Sequence, residues 1–352
     1  MNIGAIRLVR ILTIVLLCWA CALPLFGQNE EIPNKFTNPL LPTGPDPWVI
    51  TSNGYFYYMN TTGRNLTIWK THDLSALAHA EKKVVWTPEP GKPWSRALWA
   101  PELHRWDSKW YIYFAADDGR NETHRIYVVE NPSDDPMNGN WTLKGEVSDS
   151  TNRWAIDPDV FEVDGRHYMI WSGWLGAQNG EQDIFMASMS NPWTIDSPRK
   201  MISSPRYAWE EVDNRPHTSH VNVNEGPEGL VHGDKVFVVY SGSGCWTDNY
   251  ALGIIEASTS ADLLDRKSWT KFDHPFFQQD ARAGVYGPGH NGFFKSLDGK
   301  QDWIIYHANS GPGQGCAGKR SPRIQPFTWN ADGTPDFGKP MPSGQLLDKP
   351  SN

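Results

Sequence analysis

The sequence predicts an all-β fold, and within that class a five-bladed β-propeller. Two observations predict it: Gly and Pro interrupt the chain every few residues, so that no long helical pattern occurs, and one strand motif occurs five times. Repeats of this length with four strands each are typical of propeller blades. A β-sandwich or a two-domain β protein is the alternative, although sandwich strands do not recur in triplets.

The repeated strand follows a turn, is rich in aromatic and β-branched residues, and ends in a small or polar residue. Its five copies read "NGYFYYMN", "SKWYIYFA", "GRHYMIWS", "GDKVFVVYS" and "KQDWIIYHA" and begin at Asn53, Ser108, Gly165, Gly233 and Lys300. Successive copies are roughly 55 to 70 residues apart. This regular spacing indicates equivalent units along the chain.

A second strand, marked by a proline, precedes each copy. Its five versions read "GPDPWVI", "LWAPELHRW", "AIDPDVFEV", "NEGPEGLVH" and "VYGPGHNGFF". A further strand, such as "RIYVVENP", follows most copies. Each unit therefore supplies at least three strands and leaves room for a fourth, as a propeller blade requires.

The amino terminus has the pattern of a secretory signal. Arg7 and Arg10 precede the apolar run "ILTIVLLCWACALPLF", which stops at Gly27. We expect residues 1–27 to be a signal peptide and residues 28–352 to be a single exported propeller domain. The run is short for a membrane span, so we expect no membrane insertion, with a retained anchor as the alternative.

Composition narrows the classes of partner. The chain has 32 basic and 40 acidic residues and a formal net charge of −8, which argues against nucleic-acid binding. It also has 18 Trp residues, whose flat rings either stack on sugars or fill a β core. Composition alone does not decide between these two uses.

The marker prolines place certain side chains near the centre of the predicted propeller. The first strand of each blade lines the central channel, so the residues just before each proline reach a common height. They are Asp46, Trp99 with Ala100, Asp157, Glu225, and Gly287 with His290 behind it. Three convergent carboxylates suggest a Ca²⁺ site or glycoside hydrolysis, whereas capping of local X-Pro turns is the alternative.

These segments resemble a known family. The five proline-marked strands, the run "WAPELHRWDSKWYIYFAA" and the closing "RSPRIQPFTWNADGTPDFG" look like the successive blade motifs of glycoside hydrolase family 43, from Asn38 to Gly338. The resemblance implies a five-bladed propeller that hydrolyses arabinan, xylan and related side chains with inversion. It implies Asp46 as general base, Glu225 as general acid and Asp157 as the residue that tunes the acid. The base and acid carboxyls are then expected roughly 6.5–9.5 Å apart.

The resemblance also implies residues that bind the substrate. Trp99, with its neighbour Ala100, matches the pocket for the terminal sugar, and Arg320 or Arg323 matches an arginine that reaches sugar hydroxyls. Trp174 is expected either to stack on sugar at the rim or to pack between blades.

The resemblance further implies an ion, and the positions of two cysteines in the repeat suggest a disulfide. His290 matches a histidine that in many members binds calcium or another ion in the central channel, and no organic cofactor is expected. Two cysteines, Cys245 and Cys316, remain after the predicted signal. They follow equivalent strands of neighbouring blades, so we expect a disulfide, with two free thiols as the alternative.

The expected activity is that of an exo-acting α-L-arabinofuranosidase on plant cell-wall arabinan or arabinoxylan. The chain ends shortly after the fifth unit, whereas many β-xylosidases of this family carry a further β-sandwich. The runs "GSGCWTDNYALG" and "GQGCAGKRSPRIQPFTW" also look most like the arabinofuranosidase branch. β-Xylosidase and endo-1,5-arabinanase activity are the alternatives within the family. A non-catalytic sugar-binding propeller is the alternative outside enzymes, and it would be expected to lack one of the three carboxylates.

Overall fold

The computed structural model describes Met1 and residues 34–178, 180–215 and 220–352. Apart from Met1, the predicted signal peptide lies outside the described residues. Residues Asn34–Asn352 form one compact unit, and all the elements below belong to it. Among the residues described, no helix has the length and apolar character needed to cross a membrane.

The all-β prediction is confirmed, because the regular structure of the described residues consists of strands and three short 3₁₀ helices. The helices are Leu74–His79, Asn121–Thr123 and Arg266–Ser268. The strands of the first half are β1 (Lys35–Phe36), β2 (Trp48–Ser52), β3 (Tyr55–Met59), β4 (Leu66–Thr71), β5 (Glu81–Trp86), β6 (Arg96–Trp106), β7 (Lys109–Asp117), β8 (Arg125–Asn131), β9 (Thr142–Glu146), β10 (Ala155–Val163) and β11 (Arg166–Gly173). The strands of the second half are β12 (Glu181–Asn191), β13 (Thr194–Ile195), β14 (Lys200–Ser203), β15 (Asn222–His232), β16 (Lys235–Gly242), β17 (Ala251–Ser258), β18 (Thr270–Lys271), β19 (Tyr286–Lys295), β20 (Asp302–Asn309), β21 (Ser321–Trp329), β22 (Pro335–Asp336) and β23 (Leu347–Asp348).

Sequential strands pair into antiparallel meanders. Three sheets have four strands each, in the orders β2-β3-β4-β5, β6-β7-β8-β9 and β19-β20-β21-β22. A nine-stranded sheet contains β10-β11-β12 and β15-β16-β17-β18, with β13 and β14 both paired to β12. Among the described strands, the two halves pair with each other through a short parallel contact of β12 with β15, and β1 pairs with β23 near the carboxyl end.

The repeated aromatic and β-branched motif forms the second strand of each meander. These strands are β3, β7, β11, β16 and β20, and most of their residues are buried. Burial on both faces explains why these segments carry apolar runs rather than an alternating pattern. Apolar clusters fill the spaces between successive meanders, and one of them packs β20 and β21 against β3 and β4.

The marker prolines coincide with irregularities in the first strand of the meanders. The residue before the proline has a positive φ in Asp46 (55°), Ala100 (41°) and Asp157 (54°). The pairing register shifts at this point in β6, β10 and β15. Proline has no N–H for the ladder, and a bulge redirects neighbouring side chains. Left-handed backbone at residues with a side chain is strained and is typical of functional sites.

Candidate active site

The three predicted carboxylates line one cavity of about 450 Å³. Asp46 lies two residues before β2, Asp157 lies in β10 and Glu225 lies in β15. Their exposed fractions are 8%, 5% and 8%, so all three are buried but reach the cavity wall. The structure therefore brings together the acidic residues that the repeat predicts at the centre.

Asp46 is held in its ionised form by positively charged and polar neighbours. Arg320 Nη1 donates a hydrogen bond to Asp46 Oδ1 over 2.8 Å. Burial alone would raise the pKa of Asp46, but Arg320, His290 and His307, together with a hydrogen bond from Thr61, lower it below its usual range. A carboxylate that stays ionised is suited to accept a proton.

Asp157 and Glu225 are shifted in the opposite direction. Burial, then repulsion from Glu225 and Asp46, raises the pKa of Asp157 well above its usual range, although the Gly226 N–H donates to Asp157 Oδ2 over 3.0 Å. Burial, with repulsion from Asp46, raises the pKa of Glu225 to about 7, while Tyr250 and Arg320 act against this rise. Both raised pKa values favour retention of a proton on this pair of carboxyls near neutral pH.

Two residues that position Asp46 and its surroundings were missed in the sequence. The Asp46 backbone N–H donates to His307 Nδ1 over 3.1 Å, and the Ala100 N–H donates to the Thr61 hydroxyl over 2.7 Å. His307 is near the end of β20, and Thr61 follows β3. Both belong to the small or polar ends of the repeated strand, which is the signal that could have identified them. Their partners are far away in sequence, so spacing alone does not reveal the contacts.

Aromatic residues form part of the cavity wall. Trp99 lines the cavity, as the resemblance implies, and its ring stacks on His124 with centroids 4.0 Å apart. Trp154, which was not predicted, also lines it. Trp174 is not among the lining residues: it is 2% exposed and stacks behind Trp154, with centroids 4.6 Å apart. This arrangement corresponds to the packing alternative for Trp174.

The remaining predicted binding residues separate into two groups. Arg320 lines the cavity, whereas Arg323 is fully buried and donates hydrogen bonds to Ser343 and Ser310. Ala100 is also buried outside the cavity wall. Arg320 directly precedes β21, whereas Arg323 lies within the strand, so the two nearby arginines differ in their surroundings.

Cys245 and Cys316 form a disulfide, with their Cα atoms 5.3 Å apart. Cys245 follows β16 and Cys316 follows β20, so the bond joins two successive meanders. Both residues line the cavity. The crosslink therefore fixes part of the rim beside Glu225, whose strand β15 pairs with β16.

An ion beside His290 stays a prediction. Burial lowers the pKa of His290, so its ring is neutral and able to act as a ligand. Its Nδ1 lies 3.5 Å from Asp46 Oδ1 and 4.0 Å from Asp157 Oδ2, so a directly bound ion would also contact the two cavity carboxylates. In the described residues, the group whose three potential ligand atoms lie within 4.8 Å of one another is a different one, Glu102, His104 and Asp159.

Comparison with known proteins places these features in context. The sequence model described as "Glycosyl hydrolases family 43" matches residues 36–335. An "Extracellular exo-alpha-(1->5)-L-arabinofuranosidase" of Streptomyces avermitilis is 39% identical over 319 residues, which are 88% of this chain and 64% of that protein. "Alpha-L-arabinofuranosidase B" of Pyricularia oryzae is 35% identical over 325 residues, which are 89% of this chain and 65% of that protein. The chain thus spans slightly less than two thirds of the length of these curated relatives.

A solved structure shows the same similarity in three dimensions. The crystal structure of an alpha-L-arabinofuranosidase from Lactobacillus brevis matches with a TM-score of 0.81 at 34% identity. The match covers 88% of this chain and 98% of that one.

Proposed function

Because the chain belongs to glycosyl hydrolase family 43, we propose that it is a secreted, inverting α-L-arabinofuranosidase that releases terminal L-arabinofuranose. One observation carries the proposal: two carboxyl groups with opposite pKa shifts, Asp46 and Glu225, line the same cavity. Pairs of titratable groups whose environments separate their pKa values are typical of acid–base sites.

The proposed mechanism is a single displacement. Asp46 accepts a proton from a water molecule as that water attacks the anomeric carbon, while Glu225 donates its proton to the leaving oxygen. The glycosidic C–O bond breaks as the new C–O bond forms on the opposite face. Exchange with solvent then removes the proton from Asp46 and returns one to Glu225. Burial and repulsion from Asp46 keep the pKa of Glu225 high, and the role proposed for Asp157 is to tune that pKa further and to orient the acid.

The proposed fold is a five-bladed propeller. In this interpretation the nine-stranded sheet counts as two blades, because the strand pairing between its halves is limited to Glu181–Gln182 with Asn222–Val223. Apolar clusters lie between each pair of successive meanders, and a cluster between the last and the first supports a closed ring. A closed ring leaves few unpaired strand edges.

The proposed substrate is arabinan or arabinoxylan of the plant cell wall, attacked at chain ends or side branches. The names of the two curated relatives support arabinose, and one of them names exo action on α-1,5 linkages. The word "extracellular" in that name and the Cys245–Cys316 disulfide support export, since disulfides persist in oxidising compartments.

The first test is a side-by-side assay of p-nitrophenyl α-L-arabinofuranoside and p-nitrophenyl β-D-xyloside, with Asp46→Asn as the matched blank. We expect hydrolysis of the arabinoside that disappears in the blank. A preference for the xyloside would replace the proposal with β-xylosidase. Inactivity on both, combined with cleavage inside linear arabinan, would replace it with endo-arabinanase.

Inversion is tested separately by following the anomeric proton of the released sugar by NMR. An inverting enzyme acting on an α-linkage produces β-arabinofuranose first, before mutarotation. Initial appearance of the α-anomer would contradict the roles proposed for Asp46 and Glu225, whatever the sugar specificity.

A further inference from the structure

A second group of acidic side chains lies on the other side of the marker prolines. Glu102 in β6, Asp159 in β10 and Glu228 in β15 are the first residues to pair with the neighbouring strand after each register shift. Their exposed fractions are 4%, 2% and 2%. We call these three residues the inner layer, and Asp46, Asp157 and Glu225 the cavity layer. No residue of the inner layer lines the cavity described above.

A histidine joins two members of the inner layer. His104 Nε2 lies 3.0 Å from Glu102 Oε2 and 3.8 Å from Asp159 Oδ1. One ligand atom from each of these three residues lies within 4.8 Å of the others. Ligands at 2.0–2.6 Å from a shared cation are separated from one another by about 3–5 Å. The three atoms therefore have the spacing of a metal coordination group.

Neighbouring residues hold these ligand atoms in place. The His104 ring packs against Trp48, with centroids 5.0 Å apart, and edge-on against Tyr113 at 5.5 Å. The Gly229 N–H donates to Asp159 Oδ2 over 2.7 Å, which leaves Oδ1 as the atom that faces His104. In metal sites, surrounding residues characteristically orient the ligands. Here such contacts hold the ligand atoms in place before an ion binds.

The inner layer also lacks a balancing positive charge. In the described part of the chain, no lysine or arginine forms an ion pair with Glu102, Asp159 or Glu228. Burying unpaired carboxylates costs several kcal/mol, so a charge-neutralising ligand would stabilise this region.

We propose that Glu102, His104 and Asp159 bind a divalent transition-metal cation, Zn²⁺ or Mn²⁺, with Glu228 beside them. One imidazole and two carboxylates form a mixed nitrogen and oxygen donor set, which suits these ions better than Ca²⁺, whose ligands are oxygens. The site is separate from His290, and it ties together β6 and β10 from different meanders. Its role is structural, and it does not depend on the sugar specificity proposed above.

The experiment uses the purified full chain after treatment with a chelator and removal of the chelator. Bound metal is measured by elemental analysis after equilibrium dialysis against Zn²⁺ or Mn²⁺ alone, and Tm is followed during titration of each. We expect one equivalent of bound metal and a Tm that rises with metal concentration. No bound metal and no change in Tm would overturn the proposal and indicate that protons neutralise the inner layer.

Variants then locate the bound metal. His104→Gln and Glu102→Gln are each expected to weaken metal binding at least tenfold. His167→Gln is the matched control, since His167 contacts Glu162 at 3.4 Å without a third ligand near it. His290→Gln tests the ion implied by the family resemblance. Loss of the metal in His290→Gln with retention in His104→Gln would overturn the proposal, and so would equal retention in all variants. If His104→Gln fails to fold, Glu102→Gln, which removes only a buried charge, gives the same test.

Discussion

The cavity layer and the inner layer have similar composition but different surroundings. Strand β10 carries both Asp157 and Asp159, and β15 carries both Glu225 and Glu228. The cavity layer faces open space and has Arg320 beside it, which forms an ion pair with Asp46. The inner layer is closed off and contacts the neutral ring of His104. Acid–base chemistry needs space for a substrate and carboxyls of unequal pKa, and only the cavity layer has both.

The largest expected difference between the layers is catalytic. Glu225→Gln should lower kcat on an arabino-oligosaccharide about 10²–10⁴-fold, because an amide cannot protonate the leaving oxygen. Glu228→Gln on the same strand should change kcat less than about tenfold, since Glu228 does not reach the cavity. The measurement is kcat at saturating substrate. Equal losses in the two variants would remove the distinction between the layers.

Activity on p-nitrophenyl α-L-arabinofuranoside gives a second test of the role of Glu225 as general acid. The phenolate of this substrate leaves with little help from a proton, so Glu225→Gln should lose much less activity on it than on the oligosaccharide. An equal loss on both substrates would contradict the role of Glu225 as acid.

The second difference is the positive charge in the cavity layer. In Arg320→Leu the pKa of Asp46 should rise, because the charge that lowers it is gone. A base acts only when ionised, so the acidic limb of the kcat/KM profile should move to higher pH. We expect the activity relative to the unaltered enzyme to fall progressively as pH is lowered from 7 through 5 to 4.

The control for this prediction is Arg323→Lys. Arg323 contacts serines and not Asp46, so this variant should lower Tm without moving the acidic limb. An unchanged limb in Arg320→Leu would mean that another group sets the charge of Asp46.

The two layers should behave alike in stability. The pKa of Glu225 is raised from 4.5 to about 7 in the folded protein. Protonated Glu225 therefore contributes its full stabilisation of the fold below pH 4.5. This stabilisation is lost as pH rises through about 7, because the unfolded chain ionises Glu225 at a lower pH than the folded protein does. Removing this charge should stabilise the fold at pH 8 by up to about 3 kcal/mol. Glu228, whose pKa is also raised, should follow the same direction.

The measurement is the Tm of the unaltered chain and of each variant as a function of pH, made on protein treated with a chelator to remove metal. The advantage of Glu225→Gln and of Glu228→Gln over the unaltered chain should grow between pH 5 and pH 8. Asp46→Asn is the control with the opposite sign, because the pKa of Asp46 is lowered and its stabilisation is lost only as pH falls toward acid. An advantage that does not change with pH would contradict the raised pKa values.

The repeat aligns both layers, but the sequence does not show how they are separated. Asp46 and Asp157 directly precede a marker proline and Glu225 lies two residues before one, whereas Glu102, Asp159 and Glu228 directly follow Pro101, Pro158 and Pro227. The register shift at these prolines directs the first set to the cavity and the second set away from it, and this irregularity is visible only in the strand pairing. The all-β class follows from the motif strands. The His307 and Thr61 contacts could not be predicted, because they depend on how distant meanders meet.

Two predicted binding residues illustrate the same limit. The resemblance implied Arg320, with Arg323 as the alternative, and only the structure shows that Arg320 reaches the cavity while Arg323 is buried. Trp154 and Trp174 flank β10 and β11, and a stacking contact decides which ring faces the cavity.

The smallest expected effect concerns the tryptophan pair. Trp154→Phe should raise KM for an arabino-oligosaccharide about two- to tenfold, since a smaller ring stacks less well on sugar and aromatic contacts are worth about 0.5–1.5 kcal/mol. Trp174→Phe removes a ring that packs behind Trp154, so it should lower Tm and change KM less than twofold. Measurement of KM and Tm for both variants distinguishes a residue that forms the cavity wall from one that packs behind it. A rise in KM for Trp174→Phe without a loss of Tm would mean that Trp174 contacts the substrate directly. That result would favour the first of the two expectations from the sequence, in which Trp174 stacks on sugar at the rim.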